Sequence, residues 1–382
     1  MKLSGFQRER LACAWFFGCI GLIYGIFTGR LPALKAMTQA NDAQIGFLLL
    51  AFGIAGFCGL LTSGLIIERF GPKLIAAATT LFATAALILA SLAFSYWYLV
   101  AFCLIAGLGN GLCDVAMNAQ GMAIERRHGR LCMSSLHASF SLGGVLGSLS
   151  GSLFAAIGLS PFPNFLIVAL AYFAFWPWAC RNTLESEKQK KTAASPKNRI
   201  PAAVYFLGLM AMLCYVSEGS VGEWGSVLLH SVKNASQQEA ALVFACFSTT
   251  MVAGRFFGDR ARATFGEFPL IVFGSLLSGL AMTAVLLAAS PAICLCAYAV
   301  MGIGFAPVVP IIYSAGGRIK GISPGRVSSA ISILAYSGLL FFPPFLGMLG
   351  QFIGLGNALW VIVLTCSGVT LGSFFLRPSL KK

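Results

Sequence analysis

The sequence predicts an all-α membrane protein with twelve transmembrane helices in two pseudo-symmetric six-helix bundles. Hydrophobic residues make up 58% of the 382 positions and charged residues only 10%, which leaves too little polar surface to coat a soluble globule. Apolar stretches of about 18 to 28 residues recur along the chain, and each could cross a hydrocarbon core of about 30 Å as a helix. A polar segment separates six stretches from the other six.

Each apolar stretch is predicted to form one helix. The first follows MKLSGFQRER, and we expect it to be retained, because no clear small-residue cleavage site for a signal peptide follows it. In chain order the predicted spans cover residues 11–35, 45–67, 73–95, 97–124, 133–157, 163–180, 201–230, 238–258, 267–289, 291–315, 327–350 and 355–376. Pro307 with Pro310, and Pro343 with Pro344, are expected to bend or interrupt the tenth and eleventh spans.

The net charge of +14 reflects topology in this interpretation. If both termini are cytoplasmic, all of the 26 lysines and arginines fall on the cytoplasmic side except Arg30, Lys35 and Lys233. Such an asymmetry follows the positive-inside rule, and it supports twelve spans with both ends inside. The basic balance therefore implies no nucleic-acid partner.

The longest polar segment, RNTLESEKQKKTAASPKNR, lies in residues 181–200 and has the composition of a cytoplasmic linker. It divides an N-terminal bundle, residues 1–180, from a C-terminal bundle, residues 201–382. SGLIIERFGPKL, after the second span, and AGRFFGDRARATFG, after the eighth, share a glycine, an acid followed by arginine, and a further glycine. This repeat suggests that the two halves arose by duplication.

These loops, with Glu68, Arg69, Asp259 and Arg260, resemble the signature of the major facilitator superfamily. Within it, DVAMNAQG, SSLHASFSLGG and SEGSVGEWGSVLL resemble the bacterial YbjJ-like inner-membrane proteins, a branch similar to the fucose permease group. The resemblance implies two bundles that rock about a central cavity, with the four loop residues involved in gating. It also implies a bacterial inner-membrane location.

Three polar residues of the fourth span, Asn110, Asp114 and Asn118, are spaced by four and therefore lie on one helix face. A carboxylate at the bilayer centre costs about 2.5 to 3.5 kcal/mol on insertion scales, so Asp114 should face water or a partner. We expect the stripe to line a transport cavity with Asp114 in proton coupling. The alternative is a hydrogen-bonded clamp between helices.

The fifth and seventh spans add further ionisable candidates. His137, with Ser141 one turn away, is expected to pass or sense protons or to be a structural histidine. Glu218 shares a helix face with Tyr215 and is expected to bind and release protons. Glu223 is expected either in a gate or at the outer water interface.

Arg30 is a cation late in the first span, at a height similar to those of Glu218 and Glu223. The first and seventh helices meet at the outer end of the cavity in the resembled fold. We therefore expect Arg30 to pair with one of these carboxylates in a closed outer gate.

The predicted function is secondary active transport of a small polar solute, sugar-like in chemistry and coupled to protons. The alternatives are an uncoupled facilitator, an exporter of drugs or metabolites, or a solute sensor. We expect no enzyme, no cofactor, no metal site and a monomer in the bilayer, with the twelve cysteines serving in packing. The expected substrate-binding residues are Asn110, Asn118, Gln120, Ser141, Tyr215, Trp224 and Tyr313.

Overall fold

A computed structural model describes residues 3–185 and 200–380. Within these residues the chain forms fifteen α-helices, one π-helical segment (Leu228–Val232) and no β-strand. The α-helices are α1 (Gly5–Thr38), α2 (Asp42–Phe70), α3 (Pro72–Ala90), α4 (Tyr96–His128), α5 (Met133–Ala156), α6 (Pro161–Phe173), α7 (Trp176–Asn182), α8 (Ala202–Val227), α9 (Gln237–Phe265), α10 (Glu267–Leu287), α11 (Pro291–Phe305), α12 (Val308–Gly317), α13 (Pro324–Ile353), α14 (Leu355–Ala358) and α15 (Trp360–Leu380). Of the predicted linker, residues 186–199 lie outside the described part of the chain.

Ten helical segments in the described residues are long and apolar enough to cross a membrane, and α6 with α7 makes an eleventh if this bent pair is one span. The protein is therefore an integral membrane protein. The 29-residue α9 is not among these segments. Its second half carries Arg255, Asp259, Arg260 and Arg262, which lower its mean hydropathy. The count of twelve spans and the cytoplasmic location of both termini stay predictions.

Three predicted spans are interrupted in the structure, and one of them is the twelfth, residues 355–376, which is divided at Leu359 between α14 and α15. The sixth, residues 163–180, is divided between α6 and α7, which are bent by 42° relative to each other. The tenth, residues 291–315, is divided between α11 and α12 at Pro307, as a proline inside a span predicts. Pro343 and Pro344, in contrast, lie inside the continuous α13 and do not interrupt it.

The chain forms two compact units. The N-terminal unit consists of Met1–Cys132, Leu136–Ile200 and Lys320–Ser329, and the C-terminal unit of Met133–Ser135, Pro201–Ile319 and Ala330–Lys382. The start of α13 thus belongs to the N-terminal unit, and the start of α5 belongs to the C-terminal unit. The predicted bundle boundaries, at residues 180 and 201, stay a prediction.

The second helix of each half has the same length and the same ends. Both α2 and α9 contain 29 residues and begin with a capping box. In this box a side chain at the N-cap and one three residues later each bond the other's backbone N–H. The boxes are formed by Asn41 with Gln44 and by Ser236 with Glu239, 195 positions apart. The same local structure therefore recurs in the two halves at a 195-position offset.

The same 195-position offset relates close packing inside each unit. A Cβ atom at Gly107 of α4 would lie 2.4 Å from the carbonyl oxygen of Phe52 on α2. At Gly302 of α11 it would lie 2.1 Å from that of Phe247 on α9. Both glycines let two helix backbones approach more closely than any side chain would allow.

The repeat also corrects the register of the loop motifs. α2 and α9 each end at a glycine with φ of 82°, Gly71 and Gly266. Glu68 lies three residues before its glycine, whereas Asp259 lies seven residues before its own. The two acids therefore differ by about one helical turn within the repeat and do not correspond, although both motifs carry an acid followed by arginine.

Candidate functional site

The polar stripe of α4 forms a hydrogen-bonded chain that reaches α5. Asn118 Nδ2 donates to the backbone oxygen of Asp114 at 2.9 Å and to Asp114 Oδ1 at 3.3 Å. His137 Nε2 lies 3.2 Å from Asn118 Oδ1. All three side chains are buried, and the ring of Phe17 on α1 lies 5.3 Å from the His137 ring. The predicted proximity of Asp114, Asn118 and His137 is therefore present.

The other candidates of the N-terminal unit have different surroundings. Asn110 lines a small pocket with Tyr24 and Phe52. Ser141 donates a hydrogen bond to the backbone oxygen of His137 at 3.2 Å. Gln120 is 1% exposed, and its Nε2 donates to the backbone oxygen of Leu184 at 3.1 Å. This bond gives Gln120 a structural task at the end of the unit, while its predicted role in substrate binding stays a prediction.

The C-terminal unit contains an ion pair between α8 and α9. Arg255 Nη2 lies 3.5 Å from Glu218 Oε2, and the side chains are 9% and 18% exposed. Glu218 Oε1 is buried and makes no hydrogen bond to any described residue. Tyr215, one turn before Glu218, contacts the ring of Tyr336 edge to face at 5.2 Å. Sequence reasoning missed Arg255, although a cation inside the eighth predicted span was a visible signal.

Tyr313 of α12 is completely buried, and its hydroxyl shares a 2.6 Å hydrogen bond with that of Ser332 on α13. Tyr313 lies 195 positions after Asn118, and Ser332 lies 195 positions after His137. The two cross-helix hydrogen bonds therefore occupy equivalent positions in the two halves, although different side chains form them. We call them the α4–α5 joint and the α12–α13 joint.

Trp224 and Glu223 lie near the end of α8. Trp224 is half-buried, and a Cβ atom at Gly347 of α13 would lie 3.0 Å from its ring. Its Nε1 makes no hydrogen bond to any described residue. Glu223 is exposed, as expected for a residue near a water interface. The binding role of Trp224 and the gating role of Glu223 stay predictions.

Arg30 is a buried cation of α1, only 3% exposed. Its Nη1 donates to the backbone oxygen of Gly151 at 3.2 Å, and its Nη2 donates to the backbone oxygen of Leu159. These carbonyls, on α5 and in the following loop, hold the guanidinium inside the N-terminal unit. Its predicted pairing with Glu218 or Glu223 stays a prediction.

The predicted gating residues at the ends of α2 and α9 make separate contacts. Glu68 Oε1 lies 3.4 Å from Nε of Arg326 at the start of α13. The guanidinium of Arg69 lies 5.2 Å from the centre of the Phe70 ring. Asp259 accepts two backbone N–H bonds from the first turn of α5 at 3.0 and 2.9 Å. Arg260 is exposed.

A buried charge cluster near Asp259 was not predicted. Glu267 accepts a hydrogen bond from Arg262 at 2.7 Å and two from Arg318, one of them at 2.9 Å. Arg262 also donates to the Ser314 hydroxyl at 2.5 Å. With Arg262 at 1% and Glu267 at 3% exposure, this cluster ties α9, α10 and α12 together. Glu267 was hidden from sequence reasoning by its position at the start of a span, where acids are usually solvated.

The described residues contain no group of three or more His, Cys, Asp or Glu side chains placed to hold a metal ion. All twelve cysteines are free, and eight of them are buried. This arrangement agrees with cysteines that act in packing.

Comparison with known proteins assigns the family. A family model described as the Major Facilitator Superfamily matches residues 14–343. An uncharacterized MFS-type transporter of Yersinia pestis is 27% identical over 366 residues, which cover 94% of this chain and 92% of the relative.

Two solved structures share the fold along nearly the whole chain. The proton:xylose symporter XylE matches with a TM-score of 0.79 at 13% identity, covering 98% of this chain and 96% of XylE. The Escherichia coli fucose:proton symporter FucP matches with a TM-score of 0.77 at 14% identity, covering 97% and 99%. At these identities the likeness shows the fold alone. Together with the family model, it confirms the predicted resemblance: the chain belongs to the Major Facilitator Superfamily.

Proposed function

We propose that this protein is a secondary transporter that moves a small polar organic solute, sugar-like in its hydroxyl chemistry, across the bacterial inner membrane together with protons. The observation that carries the proposal is the hydrogen-bonded chain of Asp114, Asn118 and His137 between two membrane helices. Ionisable groups inside a membrane are costly, and they are typical of substrate and proton pathways. Alternating access of the two halves is the mechanism we expect for this fold.

The relatives support the transport part of the proposal. The Yersinia pestis relative is described as a transporter, and XylE and FucP are symporters of protons with xylose and fucose. The distant identities transfer the fold and leave the solute to be argued from the side chains. The sugar-like assignment therefore rests on the residues of this chain.

The side chains favour a solute with several hydroxyl groups. Asn110 and Ser141 offer neutral donors and acceptors, and the unbonded Glu218 Oε1 is a strong acceptor for a hydroxyl proton. Tyr215 and Tyr336 add aromatic surface one turn away from Glu218. Within the C-terminal unit, the carboxylate and the rings suit a polyol better than a purely apolar compound. We propose that Glu218 joins Asp114 and His137 in proton coupling.

We propose gating roles for Arg30, Glu223 and the loop residues Glu68, Arg69, Asp259 and Arg260. Supporting this, Arg30 is a membrane-buried cation whose observed partners are neutral carbonyls, which leave its charge uncompensated. Arg30→Ala is expected to slow transport about tenfold, equivalent to about 1.4 kcal/mol on a barrier, and to change outer-side cysteine labelling. If Arg30→Ala changes neither the transport rate nor the cysteine labelling, the proposed gating role of Arg30 is wrong.

The experiment for the function is a proton-flux assay in proteoliposomes. The wild type, Asp114→Asn and the control Glu239→Gln are reconstituted, and internal pH is recorded while sugars, amino acids and cationic drugs are added. Glu239→Gln also changes a carboxylate to an amide, but Gln44 already serves at the corresponding position of the repeat, so the capping box should persist. We expect one solute class to drive proton movement in the wild type and control but not in Asp114→Asn.

Other outcomes decide among the alternatives. A solute that moves without protons, or moves equally well in Asp114→Asn, indicates a facilitator in which Asp114 packs or binds substrate. Binding of a solute without flux indicates a sensor. Proton movement driven by cationic drugs but not by sugars indicates an exporter and contradicts the sugar-like assignment.

A further inference from the structure

Asn118 lies between an acid and an imidazole and bonds to both. Its Oδ1 accepts from His137 Nε2 at 3.2 Å, and its Nδ2 donates to Asp114 Oδ1 at 3.3 Å. This pattern is consistent with one orientation of the amide, because a carboxylate only accepts and the imidazole N–H donates. The amide therefore bridges the two titratable groups with its acceptor toward one and its donor toward the other.

A bridge of this kind links the charge states at its two ends. Hydrogen bonds in a chain polarise one another, and the effect is larger inside a membrane protein than in water because the local dielectric constant is low. A proton on His137 strengthens the pull on Asn118 Oδ1, which strengthens the Nδ2–H donation to an ionised Asp114. Two groups linked in this way titrate as a pair.

The second half of the chain provides a natural comparison for this hydrogen-bonded bridge. The α12–α13 joint has Tyr313 and Ser332 at the positions of Asn118 and His137, and the position of Asp114 is occupied by Val309. Hydroxyl groups keep the cross-helix bond but remain uncharged near neutral pH. The location of the bond is thus common to both halves, while the ionisable chemistry is confined to the N-terminal one.

We infer that Asn118 is a positioning residue that couples the charge states of Asp114 and His137, and that the α4–α5 joint is the pH-responsive member of a duplicated pair. Beside this joint in its unit lie the Phe17 ring on α1, Ser141 on α5 and the Cys13 thiol, which donates to the backbone oxygen of Met117; the Cys113 thiol contacts Thr80 of α3. The link from this joint to solute movement rests on the proposed function.

The test follows the titration of His137 directly. The protein has three histidines, so His128→Gln with His230→Gln leaves His137 as the sole imidazole. The full-length variant is labelled with carbon-13 histidine, placed in lipid nanodiscs and titrated from pH 5 to pH 9 by NMR. The midpoint is then compared in four proteins: this background, Asp114→Asn, Asn118→Leu and the combination of the two.

We expect Asp114→Asn to move the His137 midpoint by about one pH unit when Asn118 is present, as loss of a nearby charge does. In the Asn118→Leu protein the same change should move it by less than half as much. Equal shifts with and without Asn118 would overturn the inference, and so would a His137 that does not titrate in this range. Asn118→Thr repeats the comparison if Asn118→Leu does not fold.

Tyr313→Phe is the matched control, because it removes the hydrogen bond of the other joint. It should leave the His137 midpoint and its response to Asp114→Asn unchanged. The titration needs no solute, so its failure is distinguishable from failure of the proposed function. A protein that shows the coupled titration but moves no solute would refute the transporter and leave the role of Asn118 intact.

Discussion

The α4–α5 joint and the α12–α13 joint occupy corresponding positions of the repeat, and each contains a buried cross-helix hydrogen bond. In the first an imidazole bonds to an amide that also bonds to a carboxylate, and in the second two hydroxyls bond to each other. The hydrogen bond has the same location in both halves, while the side chains that make it differ. The location of a contact is therefore set by packing of the fold, and its response to protons is set by a few side chains.

At the ends of the second helices the buried charged side chains are found in the other half. There the C-terminal unit carries the charge cluster of Arg262, Glu267 and Arg318. Apolar residues occupy the corresponding positions 195 residues earlier, where the sequence has Ile67, Pro72 and Ala123. At these helix ends the buried ion pairs are therefore found in the C-terminal unit, whereas at the joints the ionisable groups are found in the N-terminal unit.

The largest expected effect on stability comes from breaking this cluster. Glu267→Gln leaves the buried Arg262 and the partly exposed Arg318 beside a neutral side chain, which should cost about 3 kcal/mol. The control is Glu68→Gln, whose pair with Arg326 is far more exposed and should contribute about 0.5 kcal/mol or less. Thermal unfolding in detergent, followed by circular dichroism, compares the two. Equal losses of stability in the two variants would show that the cluster contributes no more than an exposed ion pair does.

A smaller effect is expected at the neutral joint. Tyr313→Phe removes the buried hydrogen bond to the Ser332 hydroxyl, so the free energy of unfolding should fall by about 1 kcal/mol. Because neither hydroxyl is charged near neutral pH, the loss should be the same at pH 6 and pH 8. The measurement is thermal unfolding at both values. A loss that depends on pH would contradict the contrast between the joints.

The positions of the helices could be predicted from the sequence, because a membrane span must be long and apolar. Every predicted span overlaps helix in the structure, although the breaks between α6 and α7 and between α14 and α15 were not anticipated. Pro177, in FWPW, was the available signal for the first break, since a proline is tolerated in the first turn of a helix but not in a helix interior. The stripe of Asn110, Asp114 and Asn118 was equally readable, because spacing by four fixes a shared face.

Pairings across helices were not readable from the sequence. The contact of Glu218 with Arg255 depends on how α8 and α9 are rotated against each other, and helix periodicity does not contain that angle. The mismatch between Glu68 and Asp259 has another cause. Matching the letters of the two motifs ignored their distances from Gly71 and Gly266, and these glycines define the register.

The break at Pro307 makes the halves mechanically unequal. α4 is one uninterrupted rod of 33 residues, whereas the corresponding stretch consists of α11 and the ten-residue α12. Pro307 has no N–H to donate and stands 195 positions after Leu112, which lies inside the rod. Tilting α12 therefore stretches fewer backbone hydrogen bonds than tilting the same length of α4. Flexing within a half should concentrate here, and amide hydrogens beside the break should exchange with deuterium sooner than those around Leu112.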